Sequence, residues 1–316
     1  MAVRVVPVYR DNLNEELRRI KDTIARCPFV SIDTEFPGTV YKPETRPNPN
    51  DAETNYQYMK ANVDALKIIQ LGLTLSDAQG KERYVWEFNF RDFDIDQDLY
   101  AEDSIKLLEQ QGINFEKNKG MGIDSKSFAS RFWITNLVFN PSLFWVTFHG
   151  AYDFGYLLKI LTGQNLPSNL TDFKRQLFRF FGSQIFDIKH TVYRGLERVA
   201  ESLGVDRVAG LSHQAGSDSL LTLDCFMKLR GRGYFLKDSQ DHGKMVAPLG
   251  LYGLVSNPCW RPLTRWLPPP LPAAVALRHP YPPMISVAPF SKRLPAAWQP
   301  YPMISVAPFS SRGIFV

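Results

Sequence analysis

The sequence predicts an α/β fold in which a mixed sheet carries helices on both faces. Apolar segments rich in β-branched residues lie at 29–36, 66–75 and 83–90, which is typical of strands. After residue 100, segments with helical periodicity alternate with short apolar segments. Strands first, followed by alternating strands and helices, favour a mixed sheet covered on both sides.

The same periodicities place the individual elements. A first helix is predicted at residues 12–25, because Leu17, Ile20 and Ile24 fall on one stripe. Residues 41–55, rich in Pro, Asn, Thr and Glu, predict a surface loop. The three early strands are expected to form an antiparallel run. Further strands are predicted at 143–148 and 184–188, and further helices at 56–64, 101–111, 125–138, 152–161, 173–181, 195–204 and 217–230.

Composition divides the chain after residue 255. Fourteen of the 23 prolines lie beyond it, and prolines this dense block helices and sheet ladders. One nine-residue phrase occurs twice, at 283–291 and 302–310, which is too few copies for a solenoid. We therefore predict one large domain over residues 1–255 and a Pro-rich, disordered tail over 256–316. We interpret the repeat as a local duplication rather than a docking motif.

The net charge of +5 comes from the tail, which holds six basic residues and no acidic ones. The preceding 255 residues have a net charge of −1, so a nucleic acid would bind them at a local site rather than across a positive surface. The three cysteines form no CxxC pair, which disfavours a disulfide framework or zinc finger. No signal peptide or transmembrane run is expected.

Two carboxylates on the first predicted strand are the candidate centre of function. Asp33 and Glu35 are two residues apart, so their side chains point to the same side of the strand. Neighbouring carboxylates on an apolar strand raise each other's pKa and are costly to bury. A divalent metal ion would relieve that cost. An edge strand with its polar face in solvent explains the pair equally well.

Three further residues lie at predicted element ends: Asp153 after the strand 143–148, His213 in a loop, and Asp218 at the start of the last helix. Taken singly, the two aspartates are ordinary helix caps and the histidine is solvated. Together with Asp33 and Glu35, four carboxylates can hold two divalent ions about 3.5–4 Å apart. A neutral histidine beside them can take a proton from water. This combination suits hydrolysis of a phosphodiester.

The sequence resembles the DEDDh 3′-to-5′ exonucleases, and specifically the CAF-one/Pop-type poly(A)-specific ribonucleases (deadenylases) of the CCR–NOT complex. The resemblance runs from about residue 8 to residue 254. It rests on the phrases Ser31-Ile-Asp-Thr-Glu-Phe-Pro-Gly38, Asn55-Tyr-Gln-Tyr58, Asn62-Val-Asp-Ala-Leu-Lys-Ile-Ile-Gln-Leu-Gly-Leu73, Trp86-Glu-Phe-Asn-Phe90, Phe148-His-Gly-Ala-Tyr-Asp-Phe-Gly-Tyr-Leu-Leu158 and His213-Gln-Ala-Gly-Ser-Asp-Ser-Leu-Leu-Thr222.

The resemblance implies an RNase H-like, RNase D-type fold and removal of poly(A) tails from the 3′ end with release of 5′-AMP. It implies two divalent ions, Mg or Mn, held by Asp33, Glu35, Asp153 and Asp218, with His213 as general base. In that assignment Asp33 bridges both ions, Glu35 and Asp218 hold the ion that activates water, and Asp153 acts on the other. The implied partners are poly(A) RNA, the NOT scaffold and a second nuclease subunit. The implied location is cytoplasm and nucleus.

Other conspicuous residues are assigned to structure, two of them in these phrases and Asp187 in Phe186-Asp-Ile-Lys189. We expect Asp187 to make a structural hydrogen bond, His149 to be a hydrogen-bonded structural histidine, and Phe36 to pack in the core. The segment 189–195 is shorter than is usual in the family, which favours an alternative: a catalytically weak adaptor that docks on the NOT scaffold. A glycosidase with two carboxyls across a cleft is a third hypothesis, which would need neither a histidine nor a metal.

Overall fold

The computed structural model describes residues 3–43, 51–191, 195–235 and 250–255. Three predictions fall wholly or partly elsewhere. The tail at 256–316 lies outside the described residues, as do parts of the predicted loop 41–55 and of the short segment 189–195. The boundary between the two predicted regions therefore stays a prediction.

Six strands of the described chain form one mixed sheet in the order β1-β4-β3-β2-β5-β6. Strand β2 pairs antiparallel with β3, and β3 pairs antiparallel with β4, which confirms the predicted run of three. The pairs β1–β4, β2–β5 and β5–β6 are parallel. The strands are β1 (Val5–Val8), β2 (Phe29–Glu35), β3 (Gln70–Ser76), β4 (Arg83–Asn89), β5 (Phe144–Thr147) and β6 (Ile185–Asp187).

Helices cover both faces of the sheet. The evidence is that successive residues of β2 pack into two different hydrophobic clusters. Val30 and Ile32 belong to the larger cluster, which includes Leu17 of the first helix. Phe29 belongs to a second cluster with side chains of the last two helices. The helices are α1 (Leu13–Ile24), α2 (Ala52–Ala65), α3 (Glu102–Gln110), α4 (Phe115–Met121), α5 (Ser125–Phe132), α6 (Ala151–Thr162), α7 (Leu170–Phe181), α8 (Leu196–Leu203) and α9 (Ala215–Gly231).

Strand β2 lies inside the sheet, between β3 and β5. The hypothesis that Asp33 and Glu35 belong to an edge strand is therefore wrong. The edge on the far side of β4 is formed by β1, which was not predicted, because Pro7 interrupts the apolar pattern. A proline lacks the N–H for a ladder bond and is tolerated on an edge strand.

The helix predicted at 125–138 ends at Phe132 and is followed by a 3-10 turn over Trp133–Thr135. Two other helices differ from the sequence prediction for local reasons. Helix α2 begins at Ala52 rather than at residue 56, because the side chain of Asp51 caps it by accepting a hydrogen bond from the Thr54 N–H (3.1 Å). Helix α4 was not predicted, since it is only seven residues long and its single buried side chain is the polar Asn118. In the described residues, no helix combines the length and apolar character needed to cross a bilayer.

The fold brings the start of α9 against the middle of the sheet. A Cβ atom at Gly72 of β3 would lie 1.8 Å from the carbonyl oxygen of Ala215, so only glycine permits this approach. At Gly216, the backbone N–H donates to Oε2 of Glu87 on β4 (3.2 Å). These contacts hold the first turn of α9 close to the end of β2 that carries Glu35, which pairs with Gln70.

Candidate active site

Asp33 and Glu35 lie at the C-terminal end of β2, on the face of the sheet against which α9 packs. Burial raises the pKa of Asp33 well above its usual value, and the charges of Asp153, Asp218 and Glu35 raise it further. The pKa of Glu35 is also raised well above its usual value, first by burial and then by the charges of Asp218 and Asp153. The two carboxylates therefore lie in a region that disfavours negative charge.

Asp153 lies in the first turn of α6, which begins four residues after β5 ends. Its Oδ1 accepts a hydrogen bond from the Thr34 hydroxyl (2.6 Å), and its Oδ2 accepts one from the Thr147 hydroxyl (3.0 Å). Strands β2 and β5 thus orient both oxygens. Burial raises the pKa of Asp153 to about 7, against the opposing effect of these hydrogen bonds.

Asp218 lies in the first turn of α9, and His213 lies in the loop just before that helix. The backbone N–H of His213 donates to Oδ2 of Asp218 (3.0 Å), and His213 adopts a left-handed conformation with φ 59°. Oδ1 of Asp218 lies 2.6 Å from Nη2 of Arg207. Burial raises the pKa of Asp218, while the Arg207 charge opposes that shift.

Neither helical aspartate caps its helix. The N-cap of α6 is Gly150 and that of α9 is Gln214, and neither makes a side-chain capping bond. The alternative that Asp153 and Asp218 are ordinary caps is therefore wrong. Both are instead nearly buried carboxylates, with 5% and 8% of their surface exposed.

The five predicted residues lie near the C-terminal end of the interior strand β2. Ligand atoms of Glu35, His213 and Asp218 all lie within 4.8 Å of one another. Asp33 and Asp153 are not part of that set of three, but the charges of Asp153, Asp218 and Glu35 all raise the pKa of Asp33. Four carboxylates, each with a pKa raised first of all by burial, and one imidazole form a donor set that fits a hard divalent cation such as Mg²⁺ or Mn²⁺.

Sequence reasoning missed two polar groups around this cluster. Burial raises the pKa of Glu87 on β4, whose carboxylate accepts the N–H of Gly216. Arg207 contacts Asp218 from the loop between α8 and α9. Glu87 could have been found because its β4 phrase was singled out, whereas no local pattern marks Arg207.

Asp187, His149 and Phe36, the residues assigned to structure, each make contacts outside the carboxylate cluster. Asp187 is fully buried and accepts backbone N–H bonds from four residues: His149 (2.8 Å), Gly150 (3.1 Å), Lys189 (3.1 Å) and Tyr252 (2.9 Å). The ring of His149 meets that of Tyr252 edge-on. Phe36 stacks on Tyr152, with ring centroids 5.0 Å apart, and packs against the larger core cluster. The four hydrogen bonds confirm the structural role predicted for Asp187, and Phe36 packs against the core as predicted. A structural role for the ring of His149 stays a prediction.

Comparison with known proteins decides the family. A model of the CAF1 family ribonuclease matches residues 8–132. "Probable CCR4-associated factor 1 homolog 7" of Arabidopsis thaliana is 44% identical over 264 residues, which cover 79% of this chain and 94% of the relative. The chain belongs to the CAF1 ribonuclease family. The family match at residues 8–132 contains Asp33 and Glu35. The alignment with the Arabidopsis relative is longer and extends the likeness to 79% of the chain.

Two further relatives of this CAF1 family member add structural detail. "Poly(A) ribonuclease pop2" of Schizosaccharomyces pombe is 41% identical over 259 residues, 79% of this chain and 75% of the relative. The solved structure of S. pombe Pop2p with Mg²⁺ and Mn²⁺ bound has a TM-score of 0.70 and 40% identity, covering 79% of this chain and 99% of that chain. The structure of yeast CAF1 co-crystallized with the NOT1 MIF4G domain has a TM-score of 0.62 and 33% sequence identity, covering 74% of this chain and 91% of that chain. The predicted RNase H-like α/β fold is confirmed.

Proposed function

We propose that this CAF1 family ribonuclease is a metal-dependent 3′-to-5′ exoribonuclease that shortens the poly(A) tails of mRNA and releases 5′-AMP. The observation that carries the proposal is the convergence of Glu35, His213 and Asp218 within 4.8 Å, beside the charge-coupled Asp33 and Asp153. The names of the relatives support the poly(A) substrate, and the Mg²⁺- and Mn²⁺-bound structure of Pop2p supports the metals. Cytoplasm and nucleus are the compartments that hold such a substrate.

Asp33, Glu35, Asp153 and Asp218 are the residues that would hold two divalent ions. Bound ions would neutralise the four carboxylates and polarise the attacking and leaving oxygens of the phosphodiester. The protein contributes fixed ligand orientation. Thr34 and Thr147 each hold one oxygen of Asp153, and the His213 N–H holds one oxygen of Asp218.

In this proposal His213 is the general base. Its side chain is exposed at the rim of the cluster, and its ring nitrogen lies in the 4.8 Å set with Glu35 and Asp218. A water that attacks the last phosphodiester gives its proton to this imidazole. The bond from phosphorus to the 3′ oxygen of the penultimate nucleotide breaks, and that oxygen takes a proton from solvent. The released nucleotide keeps its 5′ phosphate, so a poly(A) end yields 5′-AMP.

The test uses two labelled RNAs of equal length, one ending in a run of A and one ending in mixed bases. With Mg²⁺ or Mn²⁺, we expect stepwise shortening of the A-run, with 5′-AMP as the product, and arrest at the first other base. A chelator should abolish the reaction. Equal trimming of both RNAs would refute the poly(A) preference, and activity that survives the chelator would refute the metal-dependent chemistry.

A second function, docking on a NOT scaffold, is favoured by an exposed aromatic patch. The patch consists of Trp133, Phe139 and the half-buried Phe180. The rings of Trp133 and Phe139 stack with centroids 5.5 Å apart, and those of Phe139 and Phe180 are tilted with centroids 4.9 Å apart. Trp133 is 39% exposed and Phe139 is 50% exposed. Clustered exposed rings mark protein interaction sites. The co-crystal of yeast CAF1 with the NOT1 MIF4G domain supports such a scaffold as the occupant.

Docking and chemistry can be separated by one variant. We expect Trp133→Ser combined with Phe139→Ser to weaken binding to a purified NOT1 MIF4G domain and to leave shortening of the A-run unchanged. Leu99→Ser is the matched control, because Leu99 is also exposed (58%) but lies outside the patch. Equal binding by the patch variant and the control would contradict the assignment of this surface.

A further inference from the structure

Arg207 is a charged side chain that lies beside the candidate site without belonging to the predicted set. It occupies the loop between α8 and α9, and only 15% of its side chain is exposed. Its Nη2 lies 2.6 Å from Oδ1 of Asp218 and also contacts the carboxylate of Glu197 on α8. Its Nη1 donates to the Ser217 hydroxyl and to the carbonyl oxygen of Leu211 (3.3 Å). One guanidinium thus joins two helices and the loop between them.

These contacts lie on both sides of His213. Leu211 lies two residues before it, and Ser217 and Asp218 follow in the first turn of α9. The loop is closed by two further bonds, from the Ser217 hydroxyl to the carbonyl of Ala209 (2.6 Å) and from the Leu211 N–H to the side chain of Gln214 (3.0 Å). The left-handed backbone of His213, with φ 59°, is therefore held at both ends.

Asp218 is fixed by the same network. Arg207 holds Oδ1, and the backbone N–H of His213 holds Oδ2, so the carboxylate cannot rotate without breaking one of the two contacts. A carboxylate has about four lone-pair positions, so both oxygens keep lone pairs for a cation that Glu35 would also contact. A rigid guanidinium fork suits this geometry, whereas a lysine ammonium would make a point contact.

We propose that Arg207 is a positioning residue that sets the orientation of Asp218 and the place of His213, and through them the affinity of the site for a divalent ion. The inference rests on the proposed function, since it assigns a metal to Asp218. Residues that orient metal-binding carboxylates alter affinity by about 10–100-fold when they are replaced. Glu197 extends the network to α8, so the position of that helix is also expected to influence the site.

The test compares Arg207→Lys and Arg207→Met with Arg83→Lys and Arg83→Met. Arg83 is the matched control, because its Nη1 donates to both oxygens of Asp224 on the same helix α9 (2.9 and 2.7 Å), away from the predicted site residues. Mn²⁺ binding is measured by electron paramagnetic resonance in the absence of RNA. Circular dichroism and the unfolding temperature report whether each variant is folded. The kinetic parameters kcat and KM are then measured on the RNA that ends in a run of A.

We expect both Arg207 variants to bind Mn²⁺ about tenfold or more weakly than wild type while remaining folded, with a loss mainly in kcat. Both Arg83 variants should bind Mn²⁺ like wild type, even where their unfolding temperature falls. If Arg207→Met fails to fold, Arg207→Lys alone decides. Unchanged or tighter Mn²⁺ binding by a folded Arg207 variant would overturn the inference. Failure of wild type itself to bind Mn²⁺ would instead overturn the proposed function.

Discussion

Two buried aspartates lie beside the start of α6, and they differ in the hydrogen-bond donors that surround them. Asp187 accepts four backbone N–H bonds, two of them from His149 and Gly150 just before the helix. Asp153, in the first turn, accepts bonds from the hydroxyls of Thr34 and Thr147, and its charge raises the pKa of the neighbouring Asp33. The difference teaches that burial alone does not mark a functional carboxylate. A carboxylate saturated by backbone donors stabilises the fold, whereas one that faces other carboxylates needs a cation.

The largest expected effect is that of Asp33→Asn at the centre of the carboxylate cluster. Because Asp33 is coupled to Glu35, Asp153 and Asp218, its removal should lower exonuclease activity by about four orders of magnitude or more. The same change removes one charge from a repelling cluster. We therefore expect the metal-free variant to unfold at a higher temperature than wild type, as followed by circular dichroism. A variant that lost activity together with stability would contradict this account and place Asp33 in the same class as Asp187.

The next effect is that of His213→Asn on catalysis. Asparagine tolerates the left-handed backbone that His213 adopts at φ 59°, so the loop should keep its shape. Loss of a general base lowers kcat by about 10²–10⁴-fold. Single-turnover shortening of the A-run measures the change, and Mn²⁺ binding shows whether the ligand set is intact. Normal kcat in a folded variant would remove His213 from the chemistry.

The sequence predicted the parts of the site that depend on local rules. Period-two alternation placed Asp33 and Glu35 on one face of β2, and the family phrases identified Asp153, His213 and Asp218. It could not show that Thr34 orients Asp153, since that hydrogen bond joins residues 119 positions apart. The approach of Ala215 to Gly72 is equally non-local. Edge strand β1 was missed because Pro7 breaks the local signal for a strand that exists only through pairing with β4.

The stability of the metal-free protein should depend on pH through Asp153. Burial raises the pKa of this group from 3.8 to about 7, so the folded state binds more protons than the unfolded state between those values. The contribution of Asp153 to the free energy of unfolding is fully present below about pH 4. It is lost as the pH rises to about 7, by up to about 4 kcal/mol. Urea unfolding across this range measures the loss. Asp153→Asn should make the profile shallower, with the remaining slope coming from Asp33, Glu35 and Asp218, whose pKa values are also raised. An unchanged profile would show that Asp153 is not responsible.

The smallest effect is expected for Asp187→Asn, which tests whether Asp187 differs in role from the carboxylates of the cluster. Asp187→Asn replaces one acceptor oxygen with an NH2 group, which cannot accept the backbone N–H groups that one oxygen now holds, such as those of Gly150 and Tyr252. One or more buried donors then lack a partner, so the free energy of unfolding should fall by about 3 kcal/mol. Asp124→Asn is the matched control, because Asp124 caps α5 by accepting the Ser127 N–H (2.8 Å) and asparagine caps as well as aspartate. If Asp187→Asn were as stable as this control, saturation by backbone donors would not distinguish the two kinds of buried carboxylate.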